Sequence, residues 1–271
     1  MHVMESGPED GPTVLLLHGN PTWGFLWRKV VLALGGAPIR IVMPDLVGLG
    51  LSDKPPAETH TLDFHATQLE GLVRALNLKE VVFAGQDWGG PIGIAGLLQA
   101  QDAVQVKGLV VLNTVLGPPK PGFRPTAFHR FARLPVIADA VFRLGQFPQS
   151  MLGRAQGDRH SISGDVARGY TWPLRERADR IAPLALARMV PNSLEHPSAG
   201  PLRRIEGFAQ AFKGPAAIVW GERDPVLGRL RRRIENLLPH ARVTSTNAGH
   251  FLQEEVPNDI ADALRYVVKA A

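Results

Sequence analysis

The amino-acid sequence predicts an α/β fold, a mostly parallel and doubly wound sheet with a helical cap inserted into it. Two observations predict the sheet and a third predicts the cap. Short apolar or β-branched runs alternate with stretches of helical spacing, the order from which parallel sheets are built. Several runs are apolar throughout instead of alternating, as strands covered on both faces must be. The alternation fails once, after Asn113, where the chain reads as helix and turn until it approaches Ala216.

The first strand is Thr13–Leu17, ended by His18-Gly19-Asn20-Pro21, where Gly19 tolerates an unusual backbone and Pro21 fixes the chain after Asn20. Helical spacing over Trp23–Leu34 precedes a strand over Arg40–Met43. The loop Gly48-Leu49-Gly50-Leu51-Ser52-Asp53 invites comparison with a dinucleotide fingerprint, but it lacks the third glycine and runs into Lys54-Pro55-Pro56, so that reading fails. A helix over Leu62–Leu76, a strand over Glu80–Ala84, a helix over Pro91–Gln99 and a strand over Val106–Leu112 continue the pattern. Gly117-Pro118-Pro119-Lys120-Pro121-Gly122 is then hostile to helix and strand alike. From Arg124 to Met189 there are helical patterns and no strand. A second turn-rich stretch, His196-Pro197-Ser198-Ala199-Gly200-Pro201, leads back to a strand over Ala216–Trp220, a helix over Leu227–Leu238, a strand over Arg242–Thr246 and a helix over Val256–Lys269. The insertion follows the strand after Pro91–Gln99, which favours a cap over the carboxyl ends of the strands, where α/β sites lie, above a mere surface excursion. Residues 1–117 and 202–271 are accordingly read as the core and 118–201 as the cap.

The 271 residues suffice for one large α/β domain or two small ones, and 45% apolar with 20% charged residues is an ordinary globular balance. No apolar run of about 18 residues exists, which excludes a membrane-spanning helix. Met1-His2-Val3-Met4-Glu5 lacks the features of a signal peptide, so a cytoplasmic setting is expected. The absence of cysteine excludes disulfides, thiolate metal sites and thiol nucleophiles. No histidine and acid cluster has metal spacing, and no cofactor is expected. The net charge of +5 raises the question of an anionic partner, with arginines at Arg203-Arg204 and at Arg229, Arg231, Arg232 and Arg233. The second group shares a helix with the apolar stripe Leu230, Ile234, Leu237 and Leu238, so it reads as a solvated face. Without aromatic interleaving, no nucleic-acid partner is expected.

Gly85-Gln86-Asp87-Trp88-Gly89-Gly90-Pro91-Ile92-Gly93 carries the most chemistry. Gly85-x-Asp87-x-Gly89 has the form of a nucleophile elbow, a strained strand-to-helix turn that presents one side chain at the head of a sheet. Serine in that place suits acyl transfer. A carboxylate cannot usefully attack an ester or amide, but it can expel a leaving group from sp³ carbon and become an alkyl ester. Halides and epoxides are therefore the substrates to weigh. Trp88 offers an indole N–H that donates and has no nitrogen lone pair, which suits a large polarisable anion; its plain alternative is a core aromatic. Asn20 is either an Asn-Pro turn residue or a donor of side-chain amide to halide and backbone N–H to an oxyanion. His18 reads as structural, packed behind that loop. In Trp220-Gly221-Glu222-Arg223-Asp224-Pro225 the acid Asp224 stands in a post-strand loop, with Glu222 the weaker candidate because it lies closer to the strand. His250 follows Gly249 after the last strand, completing the order nucleophile, acid, histidine with Asp87 and Asp224. Neutral imidazole would take a proton from water attacking the ester.

These segments resemble the haloalkane dehalogenases, α/β-hydrolases that convert haloalkanes to alcohol, halide and proton without a cofactor. The resemblance covers nearly the whole chain: His18-Gly19-Asn20-Pro21-Thr22-Trp23, Pro44-Asp45-Leu46-Val47-Gly48-Leu49-Gly50-Leu51-Ser52-Asp53-Lys54-Pro55, the elbow, and the loops of Asp224 and His250. It implies Asp87 as nucleophile, His250 as base, Asp224 as acid, and Asn20 and Trp88 as halide donors whose backbone N–H groups form the oxyanion hole. The implied partners are a small apolar halogenated substrate, water and the halide product. One group of the family places a Glu after the strand preceding the cap, where this chain has Asn113. Asn20 together with Asp224 is similar to the group whose members are often reported as large oligomers, so a homo-oligomer is implied. The stretch before His18 is short, so the family's first edge strand is expected to be missing or truncated. The cap, Pro118 to about Pro201, matches weakly and carries no substrate preference. Epoxide hydrolases share the Asp elbow but use two cap tyrosines, and this chain has only Tyr170 and Tyr266, the latter in the last core helix. Fluoroacetate dehalogenases set Arg where Trp88 stands. A binding protein on the same fold is the remaining alternative, opposed by the complete set of Asp87, Asp224 and His250.

Overall fold

The apolar runs pair into one seven-stranded sheet, of order β1-β3-β2-β4-β5-β6-β7, in a computed structural model that describes residues 1–120 and 122–271. The strands are β1 (Val3–Ser6), β2 (Thr13–Leu17), β3 (Arg40–Pro44), β4 (Glu80–Asp87), β5 (Gln105–Thr114), β6 (Ala216–Gly221) and β7 (Arg242–Thr246). Among the described residues only the edge pair β1–β3 is antiparallel. The helices are α1 (Arg28–Leu34), α2 (Leu62–Ala75), α3 (Gly89–Gln99), α4 (Ala127–Phe131), α5 (Ile137–Leu144), α6 (Gly164–Thr171), α7 (Ala182–Arg188), α8 (Ala199–Ala211), α9 (Arg231–Leu237) and α10 (Pro257–Ala270).

The unbroken apolar strands serve two cores at once. Along β2, Leu15 and Leu17 belong to one buried cluster with Leu69 of α2, Ile92 of α3, Ile205 of α8 and Ile234 of α9. Val14 and Leu16 point the other way, to Val30 of α1 and Leu264 of α10. Each such side chain contributes about 1.5–3 kcal/mol by leaving water, and a one-residue slip would exchange the two faces of every strand. The α/β-hydrolase architecture expected from the sequence is thus present, with helices on both faces.

The expected strands are found at their places, with β4 and β5 running further than the apolar pattern suggested. An edge strand, β1, does exist before His18, but it has four residues and is only partly buried. Two expected helices begin as 3₁₀ turns, Gly24–Trp27 and Gly228–Leu230, before α1 and α9. Helix α8 was not foreseen. Its opening Ala199-Gly200-Pro201 reads as turn, yet proline in a first helical turn gives up only an N–H that has no intrahelical partner. Arg204 and Arg231 pair with Asp63 and Glu222 at the surface, in keeping with a solvated basic face, whereas Arg233 pairs with Glu206 and, with Arg229, lines a recess on the inner side of the helix instead.

Between β5 and β6 the described residues form helices and turns and no strand. Pro121, within the turn-rich run after Gly117, lies outside the described residues. Ala132, Ala138, Phe142, Leu184 and Ala187 give this insertion a small core of its own. Among the described residues no helix is long and apolar enough to cross a membrane.

Candidate active site

β4 delivers Asp87 to the sheet's carboxyl edge with φ +50, a left-handed backbone that costs about 1–3 kcal/mol in a non-glycine residue and turns the side chain out of the sheet. Parallel pairing with β5 and a hydrogen bond from Thr114 Oγ1 to Asp87 O at 2.5 Å hold that turn. The loop after β2 lies directly against the carboxylate. Asn20 N–H donates to Asp87 Oδ1 at 2.8 Å, and a Cβ on Gly19 would stand 2.5 Å from the same oxygen. Burial pushes the Asp87 carboxyl above its ordinary value, against the opposing pull of His250 and of the Trp88 and Asn20 N–H groups.

Asp224 and His250 converge on this carboxylate from the loops after β6 and β7. His250 Nδ1 lies 2.8 Å from Asp224 Oδ2, and its Nε2 lies 3.7 Å from Asp87 Oδ2. Because an ionised carboxylate only accepts, Nδ1 carries the proton and Nε2 is left with a lone pair facing Asp87. Burial disfavours charge on His250, but the carboxylates of Asp224 and Asp87 outweigh it and raise its pKa above 6.5. Burial acts on Asp224 in the opposite sense and is likewise overcome: His250, the Asn113 amide and the Val226 N–H hold its carboxyl below the ordinary range. Glu222 is exposed and engaged with Ser245 and Arg231, away from His250. His18 is fully buried behind the loop, with Leu46 N–H donating to its Nε2 at 2.9 Å.

Asp87, Asn20, Trp88 and His250 share a cavity of about 320 Å³ under the insertion, with Phe128, Met151, Leu152, Ala155 and Ala187 on its apolar side. Trp88 also lines an adjoining recess of about 80 Å³ that runs towards Phe123 and Arg229. Asn20 Nδ2 donates to Pro183 O of the insertion at 2.9 Å, and Asn20 Oδ1 is buried without a partner. Tyr170 lies elsewhere. It is 1% exposed, and its hydroxyl donates to Glu254 Oε1 at 2.5 Å.

The alpha/beta hydrolase fold family matches residues 12–257. A haloalkane dehalogenase of Mycobacterium marinum is 33% identical over 279 residues, spanning 97% of this chain and 87% of that one. The chain belongs to the haloalkane dehalogenase family. Its members are hydrolases acting on carbon–halogen bonds, and the enzyme described here is one of them. The tetrameric haloalkane dehalogenase DpaA from Paraglaciecola agarilytica NO2 superposes with a TM-score of 0.83 at 26% identity, over 97% of this chain and 86% of that chain. The epoxide hydrolase CorEH reaches a TM-score of 0.77 at 22% identity over 100% of this chain and 95% of its own, a likeness of fold alone.

The candidate site contains residues that the linear sequence did not bring forward. Asn113, seen in the sequence only as the absence of a Glu, donates its amide to Asp224 Oδ2 at 2.8 Å and to Gly221 O at 3.0 Å, and its Oδ1 accepts from Gly221 N–H at 2.7 Å. Gln86, fully buried beside Asp87, donates to His250 O at 3.0 Å and stands 3.4 Å from His250 Nε2. His129 of α4 lines both cavities, its Nδ1 2.7 Å from Thr126 Oγ1. Burial, with Arg133, His250 and Arg229 nearby, lowers its pKa to about 4, so it is neutral at pH 7. Gln86 could have been suspected from its place next to Asp87. His129 lies in a segment with no motif.

Proposed function

We propose that the enzyme hydrolyses small apolar haloalkanes in two steps, through an alkyl ester on Asp87. The arrangement around one carboxylate carries the proposal: Oδ1 is held by Asn20 N–H at 2.8 Å, Oδ2 faces His250 Nε2 at 3.7 Å, and Trp88 lines the same apolar cavity. Asp87 Oδ2 attacks the carbon in line, a C–O bond forms, and the C–X pair leaves as halide against the Trp88 indole N–H and the second hydrogen of the Asn20 amide. Water then attacks the ester carbonyl, giving its proton to His250 Nε2 while Asp224 balances the imidazolium. The negative charge grows on Oδ1, where the Asn20 and Trp88 N–H groups receive it. Collapse releases the alcohol and restores Asp87; the proton passes to solvent. No cofactor enters. Residues 118–201 act as the cap, closing the cavity to bulk water and strengthening each of these interactions.

An epoxide would need an acid at its oxygen. The burial of Tyr170 against Glu254, and the place of Tyr266 on α10 with 41% exposure, argue against that substrate. We further propose a homo-oligomer, working in the cytoplasm. In its support, Leu134 and Val136 before α5 and Ile137, Val141 and Leu144 along it leave apolar surface exposed, and one structural relative is tetrameric. A monomeric mass of 29.4 kDa by light scattering would refute the assembly.

The mechanism is tested by mass spectrometry of His250→Ala, incubated separately with 1,2-dibromoethane and with styrene oxide. A stable adduct on Asp87 from the bromide is expected. An adduct from the epoxide alone transfers the reading to epoxide opening, and none from either removes the covalent step.

A further inference from the structure

The backbone beneath the His250 ring is gripped by the insertion. His250 N–H donates to Ala155 O at 2.8 Å. The next residue, Phe251, gives both of its backbone groups to one side chain: its N–H donates to Gln156 Oε1 at 2.9 Å and its carbonyl accepts from Gln156 Nε2 at 3.1 Å. Beyond it the Glu255 carboxylate accepts from the N–H groups of Gly157 at 3.1 Å, Asp158 at 2.8 Å and Gly249 at 2.9 Å. The two segments touch so closely that a Cβ on Gly249 would stand 2.6 Å from Gly157 N, which explains the glycine before the histidine. Phe251 packs with Leu152 and Tyr170 of the insertion in one buried cluster. From the core come Asp224 on the ring and Gln86 on the His250 carbonyl.

We propose that Gln156, backed by Glu255, is a positioning residue for His250, so that the insertion forms half of the mount of the general base. The inference rests on the two-step reading above and assigns the two halves of the site to different supports. The nucleophile and its donors, Asp87, Trp88 and Asn20, stand on β4 and the loop after β2, and alkylation is independent of Gln156. Hydrolysis of the ester is not. A base acts only within hydrogen-bond reach of its water, and an ångström of drift in its backbone spoils that geometry. Gln156 is the partner of the buried Phe251 N–H and shares the Phe251 carbonyl with Glu254 N–H at 3.0 Å, so its loss strands that N–H and loosens the backbone next to the ring. A second consequence is that the insertion cannot swing open as a rigid lid during turnover without dismounting His250. Substrate and halide therefore pass along the cavities rather than under a raised cap.

Gln156→Leu, Gln156→Glu and His250→Ala are mixed with 1,2-dibromoethane and quenched in time, with released bromide and the mass of the Asp87 peptide read together. In Gln156→Leu first-turnover bromide release keeps the wild-type rate while ester hydrolysis slows about ten- to hundredfold, the effect of losing a buried hydrogen-bond pair. Ester on Asp87 accumulates. Gln156→Glu, which keeps the acceptor for Phe251 N–H and loses the donor, falls between wild type and Gln156→Leu, and it decides the matter if Gln156→Leu does not fold. A Gln156 variant that builds up no ester, or that slows both steps equally, overturns the inference. Absence of ester in His250→Ala would instead overturn the two-step mechanism itself.

Discussion

Asp224→Asn isolates the charge that supports the base. The Asp224 side chain is fully buried and that of His250 is 4% exposed, so the pair at 2.8 Å has almost no solvent to replace it. Three donors converge on this carboxylate: His250 Nδ1 and Asn113 Nδ2 on Oδ2, each at 2.8 Å, and Val226 N–H on Oδ1 at 2.7 Å. An asparagine there must turn its own NH₂ against one of them. The imidazolium formed when water is deprotonated then has no buried counter-charge. Breaking a buried pair by removing one partner costs about 3–5 kcal/mol, and about 1.4 kcal/mol is a tenfold change in rate, so ester hydrolysis is expected to slow by roughly two to four orders of magnitude. Displacement of halide by Asp87 draws on neither group. Rapid-quench measurement with 1,2-dibromoethane should therefore show a bromide burst at the wild-type rate, stoichiometric with sites, followed by a nearly flat steady state. A burst that slows as much as the steady state, or a steady state lowered by less than about fivefold (about 1 kcal/mol), would refute the assignment of Asp224.

The other expectations concern pH, the buried tyrosine and the tight loop. Because the His250 pKa is raised above 6.5, its neutral form is populated only above the raised value, so kcat should climb with pH through it, and the rise should move to lower pH in Asp224→Asn. The same shifts bear on folding. Asp224, lowered from 3.8, stabilises the fold above 3.8 and loses that contribution as pH falls through the lowered value. His250, raised from 6.5, contributes fully below 6.5 and loses it as pH rises through the raised value; thermal midpoints of wild type and Asp224→Asn across pH would show both. Tyr170→Phe removes a donor to buried Glu254 and should cost about 1–3 kcal/mol in urea unfolding while turnover of bromoalkanes survives. Loss of turnover as deep as that of Asp87→Asn would instead mean that its hydroxyl reaches the substrate. Gly19→Ala sets a methyl against Asp87 Oδ1 and should cost about 1–3 kcal/mol while slowing the bromide burst, which an unchanged burst would contradict.

The fold was legible where burial leaves a local trace. Runs such as Thr13–Leu17 must be apolar on both faces, and the loops after β4, β6 and β7 announce themselves by glycine next to a functional type. β1 left no such trace, because a partly buried edge strand of four residues needs no apolar pattern. α8 was hidden by Pro201, a residue that breaks helices except in the first turn, where this one sits. Asp87, Asp224 and His250 could be proposed from the chain because each ends or follows a strand. Asn113 and Gln156 could not be assigned roles, since their meaning lies in partners 111 and 95 residues away. Local spacing carries no record of such pairs. The insertion was foreseen as helical from its lack of strands, but which of its side chains face the cavity depends on how it folds back over the sheet.

The bond from Asn20 N–H to Asp87 Oδ1 makes the two oxygens of one carboxylate unequal. In the proposed mechanism the tethered Oδ1 stays with the protein, whereas Oδ2 leaves in the alcohol and is replaced from water. In ¹⁸O-water the first alcohol released by each molecule should thus be unlabelled, its oxygen taken from the protein. After many cycles the Asp87 peptide should be heavier by a single ¹⁸O. A second label would show that the carboxylate rotates between cycles and that the tether does not hold. The nucleophile is in this sense a consumable with a fixed half, spending one oxygen and renewing it each time round.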